Sequence, residues 1–260
     1  MGGWSMRFTD RVAVVTGAAS GVGRETAVRM ASEGAIVVGV DVNETGLGET
    51  ADLAVAAAAD AGSGGSMSIR PTNISERDAC HAAIAEAVDR HGRMDILANV
   101  AGVLRMGKVP DVTQADWDLV FGVNVAGTFW TCQAAIPHLL ESKGNIVNVA
   151  SNAGLMGQAY TSIYSSSKAA VVNMTRSLAM EYVKQRIRIN AVAPGGIDTP
   201  MTAGSVLPDD VDWKLVEPYM GYRKLSPPAW IANVICFVAS DEAAAMHGAI
   251  VSADGGLTAG

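Results

Sequence analysis

The chain has 260 residues, enough for one large domain with a sizeable buried core. It is 49% hydrophobic and only 17% charged, which excludes a disordered or fibrous protein. The net charge of −7 argues against a nucleic-acid partner, since proteins that bind phosphate backbones carry a basic stripe.

The first ten residues, MGGWSMRFTD, lack the apolar core of a signal peptide, and Met6 stands where a myristoylation signal needs Ser or Thr. Residues 1–7 are expected to be an extension, with the first five disordered. Short β-branched runs then alternate with helix-length segments. Strands are predicted over 12–16, 36–40, 67–70, 94–98, 145–149, 186–190 and 249–253. Helices are predicted over 22–33, 44–61, 75–91, 113–140, 163–184 and 227–239. The strands are continuously apolar, so both faces of the sheet are covered, as in a parallel α/β sheet. Strand–helix alternation with right-handed crossovers gives a doubly wound, single domain of about seven strands with helices on both faces. The segment 200–228 mixes Pro, Trp, Met, Tyr and acidic residues without a period, and reads as a substrate-loop insertion or lid.

No apolar run approaches the roughly 18–20 residues of a membrane span. Cys80, Cys132 and Cys236 are far apart, as expected of reduced thiols in a cytoplasm, and the four histidines show no metal-ligand spacing. The expectation is a cytoplasmic protein without metal, membrane or nucleic-acid partners.

After the first predicted strand comes TGAASGVG, Thr16 to Gly23, leading directly into a helix. In that setting the glycines let the backbone approach a pyrophosphate, which sits at the helix N-terminus. Asp41 closes the next strand and would accept hydrogen bonds from the adenosine ribose while repelling a 2′-phosphate. No Arg or Lys lies in the turn, and Val42 and Asn43 follow Asp41, which favours NAD over NADP. A nucleoside-triphosphate loop is the competing use of such glycines. GVLRMGKV (102–109) has that spacing, but Val109 replaces the Ser or Thr that would hold magnesium. No G-x-S-x-G elbow is present for a hydrolase.

In YSSSK, Tyr164 and Lys168 lie four residues apart, on one face of a helix. An ammonium near a phenol favours the phenolate, so the expectation is a Tyr pKa drawn down toward the operating pH. With TGAASGVG, NVAG (99–102), VNVAGTF, VNVASNAG, PGGIDTP (194–200) and ADGG (253–256), the chain resembles the short-chain dehydrogenase/reductase family over about residues 8–258. It departs at Val100, where the family pattern has a second Asn.

The resemblance implies a Rossmann fold and an NAD-dependent oxidoreductase acting on an alcohol or ketone. It implies catalytic roles for Asn124, Ser151, Tyr164 and Lys168: Tyr164 exchanges a proton with the substrate oxygen, Ser151 hydrogen-bonds that oxygen, and Lys168 tunes Tyr164 and binds ribose. Asn124 holds a relay water. Cofactor contacts are implied for Gly17, Ser20, Gly21, Val22, Gly23, Asp41, Asn73, Ile74, Asn99, Ala101, Gly102, Tyr164, Lys168, Pro194, Gly195, Ile197 and Thr199. A homotetramer is also implied, and the long helices 113–140 and 163–184 are apolar on more than one side. Leu104, Met156, Tyr160, Met201, Trp213 and Tyr219 are expected to wall the substrate pocket. With no cationic clamp among them, a neutral, bulky, possibly cyclic or steroid-like alcohol or ketone is expected. A 3-oxoacyl-carrier-protein reductase and a non-enzymatic NAD-binding sensor are the alternatives.

Overall fold

Seven all-parallel strands run through the middle of the molecule in the order β3-β2-β1-β4-β5-β6-β7. They are β1 Val12–Thr16, β2 Ile36–Asp41, β3 Ser66–Pro71, β4 Ile96–Asn99, β5 Asn145–Val149, β6 Arg188–Pro194 and β7 Ile250–Ala253. The computed structural model describes residues 6–221 and 223–259; the expected disordered stretch 1–5 lies outside these. Arg7 is no free extension, because its guanidinium bonds both carboxylate oxygens of the buried Glu33.

Alternate side chains of each strand point to opposite faces. Ala13 and Val15 join Val37, Ile96 and Val147 in one apolar layer, while Val14 joins Val38, Leu97 and Ile146 in the other. Helices α1 (Gly21–Ser32), α2 (Glu44–Ala61) and α9 (Pro228–Ala239) cover the first face, through Met30, Leu47 and Ile235. Helices α3 (Arg77–His91), α5 (Thr128–Ser142) and α6 (Ser162–Glu181) cover the second, through Ile84, Leu139 and Ala179. Fully burying a Leu or Ile side chain is worth about 1.5–3 kcal/mol, so both layers contribute strongly.

Several boundaries differ from the sequence expectation. β4 begins at Ile96 because the Asp95 carboxylate is taken by the Val12 N–H and the Arg93 guanidinium. β6 begins at Arg188, whose guanidinium bonds the carbonyls of Val238 and Ser240, and it runs on through AVAP. The helix predicted over 113–140 is α4 (Gln114–Phe121), a π-helical stretch Gly122–Gly127, and α5. Taken together, Gln114–Ser142 is long and apolar enough to cross a membrane, which corrects the expectation that nothing approaches that length. In the fold it is a core helix that buries Asn124, Thr128, Thr131 and Leu139. The insertion 200–228 is more regular than expected, with α7 Pro200–Ala203, α8 Trp213–Met220 and a parallel bridge between Ile197 and Ser226.

Candidate active site

The strand order reverses direction between β1 and β4, which opens a crevice at their C-terminal ends, the place where such sheets bind ligands. Thr16 stands beside Asn99 in the register, and Asn99 beside Asn148. The Thr16 hydroxyl accepts the N–H groups of Val100 and Ala101, both at 3.1 Å. Asn99 donates to Asn148 Oδ1 at 3.0 Å and accepts from Thr131 at 2.8 Å, and Asn148 donates to Thr175. All five side chains are buried. Sequence reasoning gave Asn99 to the cofactor; in the structure its side-chain amide fixes the crevice floor. Thr16, Thr131, Asn148 and Thr175 were missed, since a buried Thr or Asn carries no spacing signature.

Gly17 has φ 71°, and a Cβ there would sit 2.8 Å from the Ala101 backbone. A side chain would push the two loops apart, so only glycine lets them meet. Gly23 is equally constrained, with Gly17 O 2.0 Å from its would-be Cβ. Gly21, at φ 52°, faces Thr199 at 3.2 Å, which brings the PGGIDTP loop to the glycine turn. Pro194 ends β6, Gly195 packs on Asp254, and Ile197 holds its bridge to Ser226. Val22 is a core residue of α1. Ser20 occupies the N-cap of α1 without a side-chain capping bond, and the first turn holds no acidic residue. The leading amides of α1 therefore suit an anion.

Asp41 accepts the Ala19 N–H at 3.2 Å and the Asn43 N–H at 3.0 Å, which fixes its carboxylate beside the glycine turn. The nearest cation of α1, Arg24, is held by Thr50, Glu49 and the Ala19 carbonyl. Asn73, expected at the cofactor, bonds Ser75 and Glu76 through its exposed amide. Ile74 is buried against Gly127 in the π-helical stretch.

Asn124 lies in that stretch, fully buried. Its amide accepts Val103 N–H at 2.8 Å and donates to Val103 O at 2.9 Å and Ser167 Oγ at 3.0 Å. Asn124 Oδ1 and Lys168 Nζ are each 3.3 Å from where a Gly102 Cβ would be, so this glycine preserves a gap between them. Lys168 donates to the Val149 carbonyl at 2.9 Å, with Nζ 5.9 Å from the centre of the Tyr164 ring. Ser151 Oγ receives the Ala153 N–H at 3.1 Å and donates to Asn152 Oδ1 at 3.2 Å, with Tyr164 close enough to feel it. The four residues Asn124, Ser151, Tyr164 and Lys168 thus converge from the π-helical stretch, the end of β5 and one face of α6.

The electrostatics correct one expectation. Burial pushes the Tyr164 phenol up, with the Ser151 hydroxyl pulling the other way, and no lowering by Lys168 is evident. Burial also pushes the Lys168 ammonium down to about 8. Desolvation of both groups outweighs their mutual attraction at this separation.

The expected pocket walls divide. Leu104, Met156, Tyr160 and Tyr219 are half-buried, whereas Met201 and Trp213 are exposed. Tyr160 and Tyr219 use their hydroxyls on Asp212 and Ala159, which joins the insertion to the loop after Ser151. Among the described residues no cluster of His, Cys, Asp or Glu could hold a metal.

Fold and site together define an α/β oxidoreductase of the doubly wound, dinucleotide-binding class. The family model described as short chain dehydrogenase matches residues 11–209. The chain is 37% identical to the 3-oxoacyl-[acyl-carrier-protein] reductase of Thermotoga maritima, covering 97% of this chain and 99% of that one. It is 35% identical to a 3β-hydroxysteroid dehydrogenase of Mediterraneibacter gnavus, covering 99% and 98%. A short chain dehydrogenase from Mycobacterium paratuberculosis, solved bound to NAD, superposes with a TM-score of 0.88 at 31% identity, covering 98% and 100%. The chain belongs to the short-chain dehydrogenase/reductase family and is an oxidoreductase acting on CH–OH groups or the corresponding carbonyls.

Proposed function

We propose that the protein interconverts a neutral, bulky secondary alcohol and its ketone with NAD(H) as the partner. The observation that carries this is the convergence of Ser151, Tyr164 and Lys168 beside a glycine turn whose neighbour is the fixed carboxylate of Asp41. The dinucleotide fits the residues present: open amides at the start of α1, a close-packed glycine turn at Gly17, and an acceptor for ribose hydroxyls at Asp41. Bound there, NAD supplies the hydride acceptor for alcohol oxidation, and its reduced form the donor for ketone reduction.

The chain supplies the proton and the geometry. For a ketone, the Tyr164 hydroxyl gives its proton to the carbonyl oxygen as the carbon becomes C–H; for an alcohol the same oxygen atom takes the proton back. Ser151 donates a hydrogen bond to that substrate oxygen, where charge develops. Lys168 sits below the phenol to hold ribose hydroxyls and to steady the phenolate once the proton has left. Asn124 fixes Val103 and Ser167, and its Oδ1 borders the gap at Gly102, which is the place for a relay water in this reading.

The substrate reading rests on the apolar exposure of Leu155, Met201, Trp213, Leu215 and Met220 around the insertion. Two of the cations nearby are engaged, Lys108 with Asp210 and Arg105 with Asp116, and Lys214, Arg223 and Lys224 of the insertion are exposed to solvent. A carboxylate or phosphate would lose water without gaining a partner, whereas apolar area gains roughly 25 cal/mol per Å² on burial. The 3-oxoacyl-carrier-protein alternative has the likeness to the Thermotoga maritima enzyme in its favour. One experiment separates the readings: kcat/KM for neutral ketones of increasing bulk and for an acyl thioester, each with NADH and NADPH. The expected result is a rise with bulk, with NADH preferred and Asp41→Ala narrowing that preference. A flat series, a preference for the thioester, or a preference for NADPH rejects it.

A further inference from the structure

Tyr160 has φ 63°, a left-handed conformation that side chains other than Gly, Asn and Asp rarely adopt. If the position only turned the chain, glycine would serve without strain. The tyrosine does more. Its carbonyl accepts the Gly107 N–H at 2.8 Å, binding the loop after β4. Its hydroxyl accepts the Asp212 N–H at 3.0 Å, binding the N-cap of α8. One position away, Ala159 O accepts the Tyr219 hydroxyl at 2.8 Å, binding the far end of α8. Outside these, the Lys108 ammonium meets the Asp210 carboxylate across the same two segments. The three loops that frame Ser151 and Tyr164 are therefore joined at one residue.

We propose that Tyr160 is a positioning residue, which clasps the α7–α8 insertion shut over the catalytic cleft, and that this clasp opens to admit the substrate. The proposal rests on the reading above for the location of the cleft, and it moves Tyr160 from pocket wall to hinge point. The strain at φ 63° is offset only while the three bonds hold, which makes the closed form dependent on all of them. An unclasped insertion leaves the apolar substrate half-covered, so binding suffers while the proton-transfer geometry of Tyr164 does not.

Tyr160→Phe deletes the hydroxyl and keeps the ring. Trypsin cleavage after the exposed Lys214 reports opening of the insertion without any substrate. The expected result is cleavage about 3–10-fold faster than in the native protein, the range one hydrogen bond commands. KM for a bulky ketone should rise by a similar factor while kcat and NADH affinity hold within about twofold, the same order as the scatter expected of a single contact. Asp210→Asn, a surface change that folding tolerates, should speed the same cleavage at low salt and lose its effect at high salt. Native cleavage rates in both variants overturn the proposal, as does a fall in kcat at unchanged KM. The proteolysis arm stands apart from catalysis: faster cleavage with no ketone turnover would remove the oxidoreductase reading and leave the clasp.

Discussion

At Lys168, a charge that the sequence places beside a phenol turns out to be held in place at the expense of its own solvation. The ammonium is 4% exposed and donates to the Val149 carbonyl, and its pKa falls from 10.5 to about 8. Below pH 8 both folded and unfolded chains carry the proton, and the folded chain bears the full desolvation cost. Between about 8 and 10.5 the unfolded chain binds more protons than the folded one, so stability rises with pH. Compared with Lys168→Met by denaturant unfolding, the native protein should gain about 3 kcal/mol on going from pH 7 to pH 10.5. A difference that stays flat across that range contradicts the buried charge. At Tyr164 the expectation is kinetic. Tyr164→Phe removes a proton and almost no volume, so turnover should fall by about 10²–10⁴ while NADH binding, read by fluorescence titration, stays near native. More than about a tenth of the activity remaining would place acid–base catalysis on another group.

Among the elements, the π-helical stretch Gly122–Gly127 shows why one helix was legible in outline but not in detail. Apolar periodicity carries α4 and α5 in a single run, and nothing in GVNVAG announces an extra residue per turn. What could be read was the oddity of an Asn inside a helix, since that residue competes with the backbone and is unfavourable there. The structure gives the reason: the widened turn aims Asn124 at Val103, where two bonds hold the loop that carries Gly102, and a third ties the amide to Ser167 on α6. The same holds across the fold. TGAASGVG and YSSSK were legible because glycine geometry and helical spacing are local properties. The Asn99–Asn148–Thr175 chain was not, because it exists only once β4, β5 and α6 are side by side. Asn124→Ala should leave the half-buried N–H and carbonyl of Val103 without their side-chain partner and cost about 1–3 kcal/mol in all. Thermal unfolding checks this, and an unchanged Tm would mean that the π-helical stretch stands without its amide.

For the whole molecule, the outer side of α4 and α6 is unfinished. A groove of about 410 Å³ runs between residues 109–117 and the first turn of α6, lined by Val109, Val112, Trp117 and Ile163. Trp117 stacks on Phe121 with ring centres 4.2 Å apart and is still 45% exposed; Phe129 on α5 and Met180 at the far end of α6 are exposed as well. A helix apolar beyond the stripe that meets its own sheet needs another surface. The groove borders Ser162 and Ser166, on α6 beside Tyr164, so whatever covers it also steadies the helix that carries the phenol and the ammonium. A homo-oligomer, with a tetramer implied by the family likeness, meets both needs, since a closed symmetric assembly buries the same patch on every copy. Light scattering at micromolar concentration should give a mass several times that of the chain. Trp117→Glu, which sets a carboxylate into that groove, should shift the protein toward the monomer and lower its activity with it. A native protein that scatters as a monomer, or a Trp117→Glu variant that assembles unchanged, shows that another surface of the fold does this work.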